Sequence, residues 1–189
     1  MIDPIQKDGF FENPDKVRKY ALTQTYYSSD NDPNNANYPG HRSDFLSAIN
    51  NELFEEFAQN LYKVIGLERQ HPSFIHSFFQ YTTEADGNSW VHRDSLHFDP
   101  THVGLVYLTP NPQSNSGTIL YTPKYEGAWD VENSENSGSP DDYEIKHVFD
   151  NAYNRVVVYD PQEFHKSDTY FGSTRYDSRL FIVFFMRVD

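Results

Sequence analysis

The sequence predicts an α+β chain, mainly β, with two helices near the N-terminus packed outside a sandwich or barrel of short strands. Three observations carry this. Six β-rich runs separated by turn residues follow Gly66. A stripe of apolar residues at helical spacing precedes it. Aromatic residues make up 16% of the chain although hydrophobic residues total only 37%, so the core is built from Phe and Tyr. At 189 residues the chain fits one domain, 1–189, with a mostly helical flank over 1–70 and a β core over 71–189.

The elements follow in order. Asn13 before Pro14 is an N-cap followed by proline at the first helical position, which opens a helix over "DKVRKYALTQTYY", 15–27. The next stretch, "SSDNDPNNANYPGHRS" (28–43), is rich in Asn, Asp, Pro and Gly and reads as loop. Ser43 then caps a second helix, whose Leu46, Ile49, Leu53, Phe57, Leu61 and Val64 recur every three or four residues on one face, and Gly66 stops it. Strands are expected over 73–83, 102–110, 117–123, 143–149, 155–160 and 179–188. The polar, aperiodic segment 130–142 reads as a long surface loop.

Charge and composition exclude several functions. A formal net charge of −13 argues against a nucleic-acid or anionic-membrane partner, because a phosphate-binding face needs excess Lys and Arg. The chain has no cysteine, so disulfides, zinc–thiolate sites and thiol nucleophiles are out. The first residues, "MIDPIQKDGFFENP", lack the basic start and apolar stretch of a secretion signal, and the longest apolar run, "LFIVFFM" (180–186), is too short to span a bilayer. The expectation is a soluble, cytoplasmic protein. There is no P-loop and no Gly-x-Ser-x-Gly elbow, and His92-Arg93-Asp94 lacks the Asn and the Gly-rich loop that a kinase catalytic loop would need.

The chemistry is concentrated in "WVHRDSLHFDP", 90–100, which holds two copies of His-x-Asp, His92/Asp94 and His97/Asp99. On a strand, residues two apart share a face, so either pair could chelate one ion. His165, after the strand-like "NRVVVYDPQEF", is the natural third ligand. Two imidazoles and a carboxylate on one side of an ion leave positions open, which suits non-haem Fe(II) rather than a closed structural site.

With these residues in view, the chain resembles the Fe(II)/2-oxoglutarate-dependent oxygenases, and more closely their prolyl-hydroxylase-like branch. The resemblance covers roughly residues 73–188. It rests on the order of Tyr81, "WVHRD", "VYLTP", "SGTILY", "NRVVVYDPQEFH" and a basic residue opening the last strand. Ser116 and Thr109 stand where Gly and Asn are common in the family. The resemblance implies a double-stranded β-helix (jelly roll, cupin-like) over 71–189. It also favours His92 and Asp94 over the second copy: His92 lies 15 residues before Tyr107, the interval the family keeps, whereas His97 lies 10 before it.

The ligand set implied is then His92, Asp94 and His165 for Fe(II), with 2-oxoglutarate as cosubstrate and O2 as oxidant. The distal carboxylate of 2-oxoglutarate calls for a buried Arg, whose fork matches a carboxylate. Arg179, opening the last strand, is favoured over Arg175 in "GSTRYDS", with Tyr107 and Tyr81 as further contacts. The retained carboxylate at Asp94 favours hydroxylation, since halogenating relatives replace it with a small residue. The implied substrate is a peptidyl residue or a small molecule, gripped by loops 28–43 and 130–142. The rivals are a metal-dependent cupin enzyme without 2-oxoglutarate and a non-catalytic jelly-roll binding protein.

Overall fold

Ten strands and three helices occur among the residues that the computed structural model describes: 2–32, 37–67, 72–87, 89–94, 99–125 and 140–189. The strands are β1 (Ile5–Lys7), β2 (Tyr27–Ser28), β3 (His41–Phe45), β4 (Phe74–Thr82), β5 (His102–Tyr107), β6 (Thr118–Pro123), β7 (Tyr143–Phe149), β8 (Val156–Tyr159), β9 (Phe164–Ser167) and β10 (Arg179–Arg187). The helices are α1 (Pro14–Ala21), α2 (Leu46–Ile49) and α3 (Asn51–Ile65). Pairing is antiparallel throughout, in a seven-stranded sheet ordered β1-β8-β5-β10-β4-β3-β2 and a three-stranded sheet ordered β7-β6-β9.

From β4 onward the chain winds between these sheets. After β4 in the larger sheet, the segment at His92 pairs with His165 of β9. β5 returns to the larger sheet, β6 and β7 lie in the smaller, and β8, β9 and β10 alternate larger, smaller, larger. This is the winding of a jelly roll, with the His92 segment as a one-bridge fourth strand of the smaller sheet.

Period-two alternation gives the larger sheet two different faces. On the outer face Ile75, Phe79, Val106, Val156, Leu180, Ile182 and Phe184 join Val17 and Ala21 of α1 and Leu53, Phe57 and Leu61 of α3 in one buried apolar cluster. Burying a ring such as Phe57 stabilises by about 1.5–3 kcal/mol relative to leaving it in water. On the inner face Val103, Leu105, Tyr107, Val157, Tyr159, Phe181 and Phe185 meet Leu120 and Phe149 of the smaller sheet.

The helices depart from the sequence reading at their ends. Asn13 does cap α1, its Oδ1 accepting from the Lys16 N–H at 3.1 Å, with Pro14 at the first turn. The helix stops at Ala21 rather than running to 27. Thr23 Oγ1 donates to the Tyr20 carbonyl and Thr23 N–H bonds the same oxygen, so the last turn tightens and closes. The cap of α3 is Asn50, whose side chain accepts from the Leu53 N–H at 3.0 Å, and not Ser43. Ser43 lies in β3, where its hydroxyl accepts the buried Phe79 N–H at 3.1 Å. Gly66 ends α3 in the left-handed region at φ 75°, as expected.

Four strands were not expected. β1, β2 and β3 come from segments read as flank or loop, and β9 is a short strand that begins three residues after Pro161. Of the two expected loops, 33–36 and 130–139 lie outside the described residues, and 140–142 forms a single 3-10 turn. Among the described residues, no helix is long and apolar enough to cross a membrane.

Candidate active site

His92 and His165 are directly opposite each other and exchange both backbone hydrogen bonds, His92 N–H to His165 O at 2.9 Å and His165 N–H to His92 O at 2.8 Å. In an antiparallel pair this puts both side chains on one face. The rings are 4.4 Å apart between centroids. Asp94, two residues on, returns to that face, held by its N–H to the Pro161 carbonyl at 3.1 Å. Ligand atoms of His92, Asp94 and His165 all lie within 4.8 Å of one another, and His165 Nε2 is 3.6 Å from Asp94 Oδ2. One ion with bonds of roughly 2.0–2.2 Å reaches such a set with small adjustments.

Both imidazoles are oriented by the same local device. His92 Nδ1 lies 2.9 Å from the Trp90 carbonyl and His165 Nδ1 lies 2.9 Å from the Glu163 carbonyl, each two residues upstream. A carbonyl only accepts, so Nδ1 carries the proton in both rings and both Nε2 lone pairs are left for an ion. His165 is buried, and that burial drives its pKa down to about 4, against the opposing pull of the Asp94 carboxylate. It is therefore neutral near pH 7, the form a metal takes.

Of the second His-x-Asp copy, only Asp99 is described, and it does not join them. His97 lies outside the described residues. Asp99 is exposed, at φ 47°, and pairs with Arg187 at 2.8 Å.

Arg179 is fully buried on the inner face. Its Nε donates to the Ser116 carbonyl at 2.8 Å, and its Nη2 donates to the Gly117 carbonyl at 3.2 Å and to Thr118 Oγ1 at 3.3 Å. Nη1 is buried without a partner, and among the described residues no carboxylate pairs with this guanidinium. Asp168 is near enough to feel it but forms no ion pair with it. A buried cation with an orphaned donor is costly unless an anion completes it. Gly117 itself is fixed by the close approach of the Phe149 backbone: a Cβ there would stand 1.8 Å from the Phe149 carbonyl oxygen.

Tyr107, also fully buried, shares a 2.8 Å hydrogen bond with Thr118 Oγ1, and burial raises its pKa, so it stays a neutral phenol. Arg179, Tyr107 and Thr118 thus form one polar cluster, of which Thr118 was not foreseen. Arg175 is elsewhere: it donates to the Gln24 carbonyl at 3.0 Å and lies over the Tyr26 ring.

Tyr81 is not brought to this cluster. It lies on the outer face, paired with Leu180, stacked on His41 at 4.8 Å and beside Tyr26. The inner-face position beside it is Gln80, which the sequence reading missed. A shift of one residue along a strand changes the face, and motif order alone does not fix that register. Among the other described histidines, His76 stacks on Phe74 and His147 meets the Phe149 ring edge-on, and neither belongs to the triad. A surface depression of about 770 Å³ lies between α1 and α3, lined by Glu12, Lys16, Tyr20, Asn50 and Glu56 among others. It gathers none of the groups just described, so chemistry rather than concavity locates the site.

The sequence model of a family described as "Family of unknown function (DUF6445)" matches residues 5–139. The chain belongs to DUF6445. That match includes His92, Asp94 and Tyr107 and ends before His165 and Arg179, which the fold carries back to them. No curated protein sequence matches this DUF6445 chain. Solved structures do match in fold. A prolyl hydroxylase from Trichoplax adhaerens, in complex with a hypoxia inducible factor peptide fragment, superposes at TM-score 0.66 with 12% identity, covering 97% of this chain and 83% of that one. A 2OG-Fe(II) oxygenase family oxidoreductase from Burkholderia pseudomallei gives TM-score 0.62 at 13% identity, with 97% and 84% covered. HygX from Streptomyces hygroscopicus, with nickel and 2-oxoglutarate bound, gives TM-score 0.63 at 13% identity, with 97% and 82% covered. At such identities the likeness is one of fold: this DUF6445 chain has the jelly roll of the Fe(II)/2-oxoglutarate oxygenases.

Proposed function

We propose that this protein is an Fe(II)- and 2-oxoglutarate-dependent dioxygenase, hydroxylating a C–H bond of a small molecule or a peptidyl residue. One observation carries the reading. Two imidazole Nε2 atoms and a carboxylate converge inside a jelly roll that also buries an arginine paired with no carboxylate among the described residues. The solved neighbours with nickel and 2-oxoglutarate bound, or in complex with a peptide fragment, support it by fold.

His92, Asp94 and His165 would hold the metal, and Arg179 would take the distal carboxylate of 2-oxoglutarate. When bound, the pair supplies oxidation of a C–H bond by O2, with 2-oxoglutarate leaving as succinate and CO2. The residues have separate tasks. Trp90 and Glu163 carbonyls fix the tautomer of each imidazole. Asp94 would supply the one negative charge of a two-imidazole, one-carboxylate ligand set, the kind that suits Fe(II) chemistry. Arg179 offers Nη1 to a carboxylate, and Tyr107 and Thr118 hold the guanidinium plane beside it. The apolar inner wall, Leu105, Leu120, Phe149 and Phe181, excludes water from this end of the roll.

The test is anaerobic calorimetry. Fe(II) is titrated into the wild-type protein, His92→Ala and His165→Ala, and 2-oxoglutarate into the metal-loaded wild type and Arg179→Met. Metal affinity lost in both histidine variants and 2-oxoglutarate affinity lost in Arg179→Met are expected. Metal binding unchanged in the histidine variants would exclude the triad. Metal binding without 2-oxoglutarate binding would leave a metal-dependent cupin that does not use it.

A further inference from the structure

A second guanidinium faces the inside of the roll. Arg42 of β3 is paired with Gln80 of β4, Gln80 with Phe181 of β10, and Phe181 with Tyr107 of β5. Directly paired residues share a face, so Arg42 is on the same face as Tyr107 and the buried Arg179. It gets there through a β-bulge. The register shifts between Arg42 and Phe45, so both face inward, opposite Gln80 and Phe78, although an odd number of steps separates them. The Asp94 carboxylate acts electrostatically on Arg42, which ties this position to the candidate metal site.

The surroundings of Arg42 fix the guanidinium without neutralising it. Nε and Nη2 both donate to Gln80 Oε1, at 3.0 and 2.8 Å. Gln80 is itself oriented, its Nε2 donating to the Pro39 carbonyl at 2.8 Å. The guanidinium carbon stands 4.0 Å from the centre of the Tyr38 ring and 5.0 Å from that of Phe78. Its side edge is therefore spent on a neutral amide, and its end-on edge, Nη1 with the second N–H of Nη2, makes no hydrogen bond among the described residues. Asp32 and Asp94 act on it through space, yet neither is within ion-pair distance. Burial disfavours its charge and lowers its pKa to about 10. A rigid, stacked, half-buried fork with its carboxylate-matching edge unspent is a receptor for a planar anion.

The geometry points to Arg42 as the anchor for a carboxylate of the primary substrate, separate from the Arg179 position assigned to 2-oxoglutarate. This deepens the proposed oxygenase reading and rests on it. The substrate is then a carboxylate-bearing molecule, a free organic or amino acid or an acidic peptide, whose anion sits on Arg42 while another of its carbons faces the metal. Trp90, 38% exposed and 5.9 Å from the His92 ring, is placed to flank such a molecule at the rim.

The experiment uses the full chain loaded with Mn(II) and saturated with 2-oxoglutarate without O2, so that the first anion position is filled. A panel of free amino acids, small organic acids and short acidic peptides is tested against the matching carboxamides, by thermal shift and then calorimetry. At least one carboxylate should bind, with its carboxamide weaker by at least about tenfold, about 1.4 kcal/mol. Free acids alone binding points to a small-molecule substrate, and peptides binding as well points to a protein.

Arg42→Gln should abolish that binding while keeping 2-oxoglutarate affinity. Because Arg42→Gln could disturb the sheet, Gln80→Glu is the second variant. It places a carboxylate inside the protein against the same two donors, at the cost of the bond from Gln80 Nε2 to the Pro39 carbonyl, and should remove substrate-carboxylate binding while the folded protein keeps its 2-oxoglutarate affinity. Carboxylates and carboxamides binding alike, no member binding, or carboxylate binding that survives both variants would overturn the inference. So would loss of 2-oxoglutarate affinity in a folded Arg42→Gln, which would move Arg42 into the cosubstrate site. Failure of the wild type to bind 2-oxoglutarate at all is a different result: it removes the oxygenase reading and leaves the panel to report on Arg42 alone.

Discussion

The two faces of the seven-stranded sheet are made by the same strands and differ by one residue at every step. On the outer side Phe79, Leu180, Ile182 and Phe184 close against α1 and α3, and the packing is mainly apolar, with the buried hydroxyl of Ser77 the exception. On the inner side the alternate residues Gln80, Arg179, Phe181 and Tyr107 include a buried guanidinium with an unpaired donor. The difference teaches how one sheet divides its work. The outer face supplies stability mainly with apolar groups and carries no buried charge in its apolar cluster. The inner face keeps unmet polar valence in place, and that valence is rigid only because its neighbours one residue away are packed.

Substitutions on each face should fail differently, and this is the sharpest way to break the comparison. Phe57→Ala, beneath the outer face, removes a fully buried ring. It should destabilise by about 3–5 kcal/mol. Chemical denaturation measures this, and metal affinity of the folded fraction should not change. An equal loss of metal affinity would show that the faces are not separable.

The next effect is a pH dependence set by His165. Its folded pKa, about 4, lies below the ordinary value of 6.5 because burial disfavours the charged ring. Below pH 6.5 the unfolded chain therefore binds the proton more readily than the native one, and stability rises with pH across this window. In the metal-free protein this contribution is complete above pH 6.5 and is lost as the pH falls to about 4. At 1.36 kcal/mol per pH unit it amounts to about 3 kcal/mol. Denaturation midpoints taken from pH 7 to 4 should fall more steeply for the wild type than for His165→Phe. Parallel curves would remove the buried neutral imidazole from the account.

Much of this division was legible in the residues. His92 and Asp94 are two apart, so any extended backbone puts them together, and alternation in β10 places Arg179 with Phe181 rather than Leu180. The α3 part of the apolar stripe and the stop at Gly66 follow from local rules, whereas the break at Asn50 that puts Leu46 and Ile49 in a separate α2 was not foreseen. What else was not legible depends on register between distant strands. Arg42 sits in a stretch whose Asn, Pro and Gly content speaks for loop. Only pairing with β4, and a bulge at the next residues, turns it inward. Tyr81 shows the same limit from the other side: motif order finds the strand, but one step of register decides between Tyr81 outside and Gln80 inside. Ser43 misled for a physical reason, since a short hydroxyl side chain satisfies a strand N–H as well as a helix one.

Arg179→Met tests the inner face directly. Replacing a buried ion with an apolar side chain of similar length is commonly near neutral for stability. Here it also gives up the bonds to Ser116, Gly117 and Thr118, so a change within about 2 kcal/mol is expected. The affinity for 2-oxoglutarate should fall by about 100-fold or more, since a charged pair and its hydrogen bonds are lost together. Stability collapsing while affinity held would invert the roles given to the faces.

The smallest effect sharpens the comparison from the outside. Asn50 caps α3 through the Leu53 N–H, on the far side of the sheet from His92, Asp94 and His165. Asn50→Ala leaves that N–H to water and removes one favourable dipole at the helix start, which costs about 1 kcal/mol. For a chain of this size that lowers the thermal midpoint by roughly 2–4 °C. Ser43→Ala, the cap that the sequence suggested, should act through β4 instead. It strands the buried Phe79 N–H and loosens the bulge that turns Arg42 inward. Asn50→Ala should therefore leave every inner-face affinity unchanged, while Ser43→Ala lowers carboxylate binding at Arg42 along with stability. If the two variants gave the same pattern, helix and bulge would be one mechanical unit, and the two faces of the sheet would not be independent.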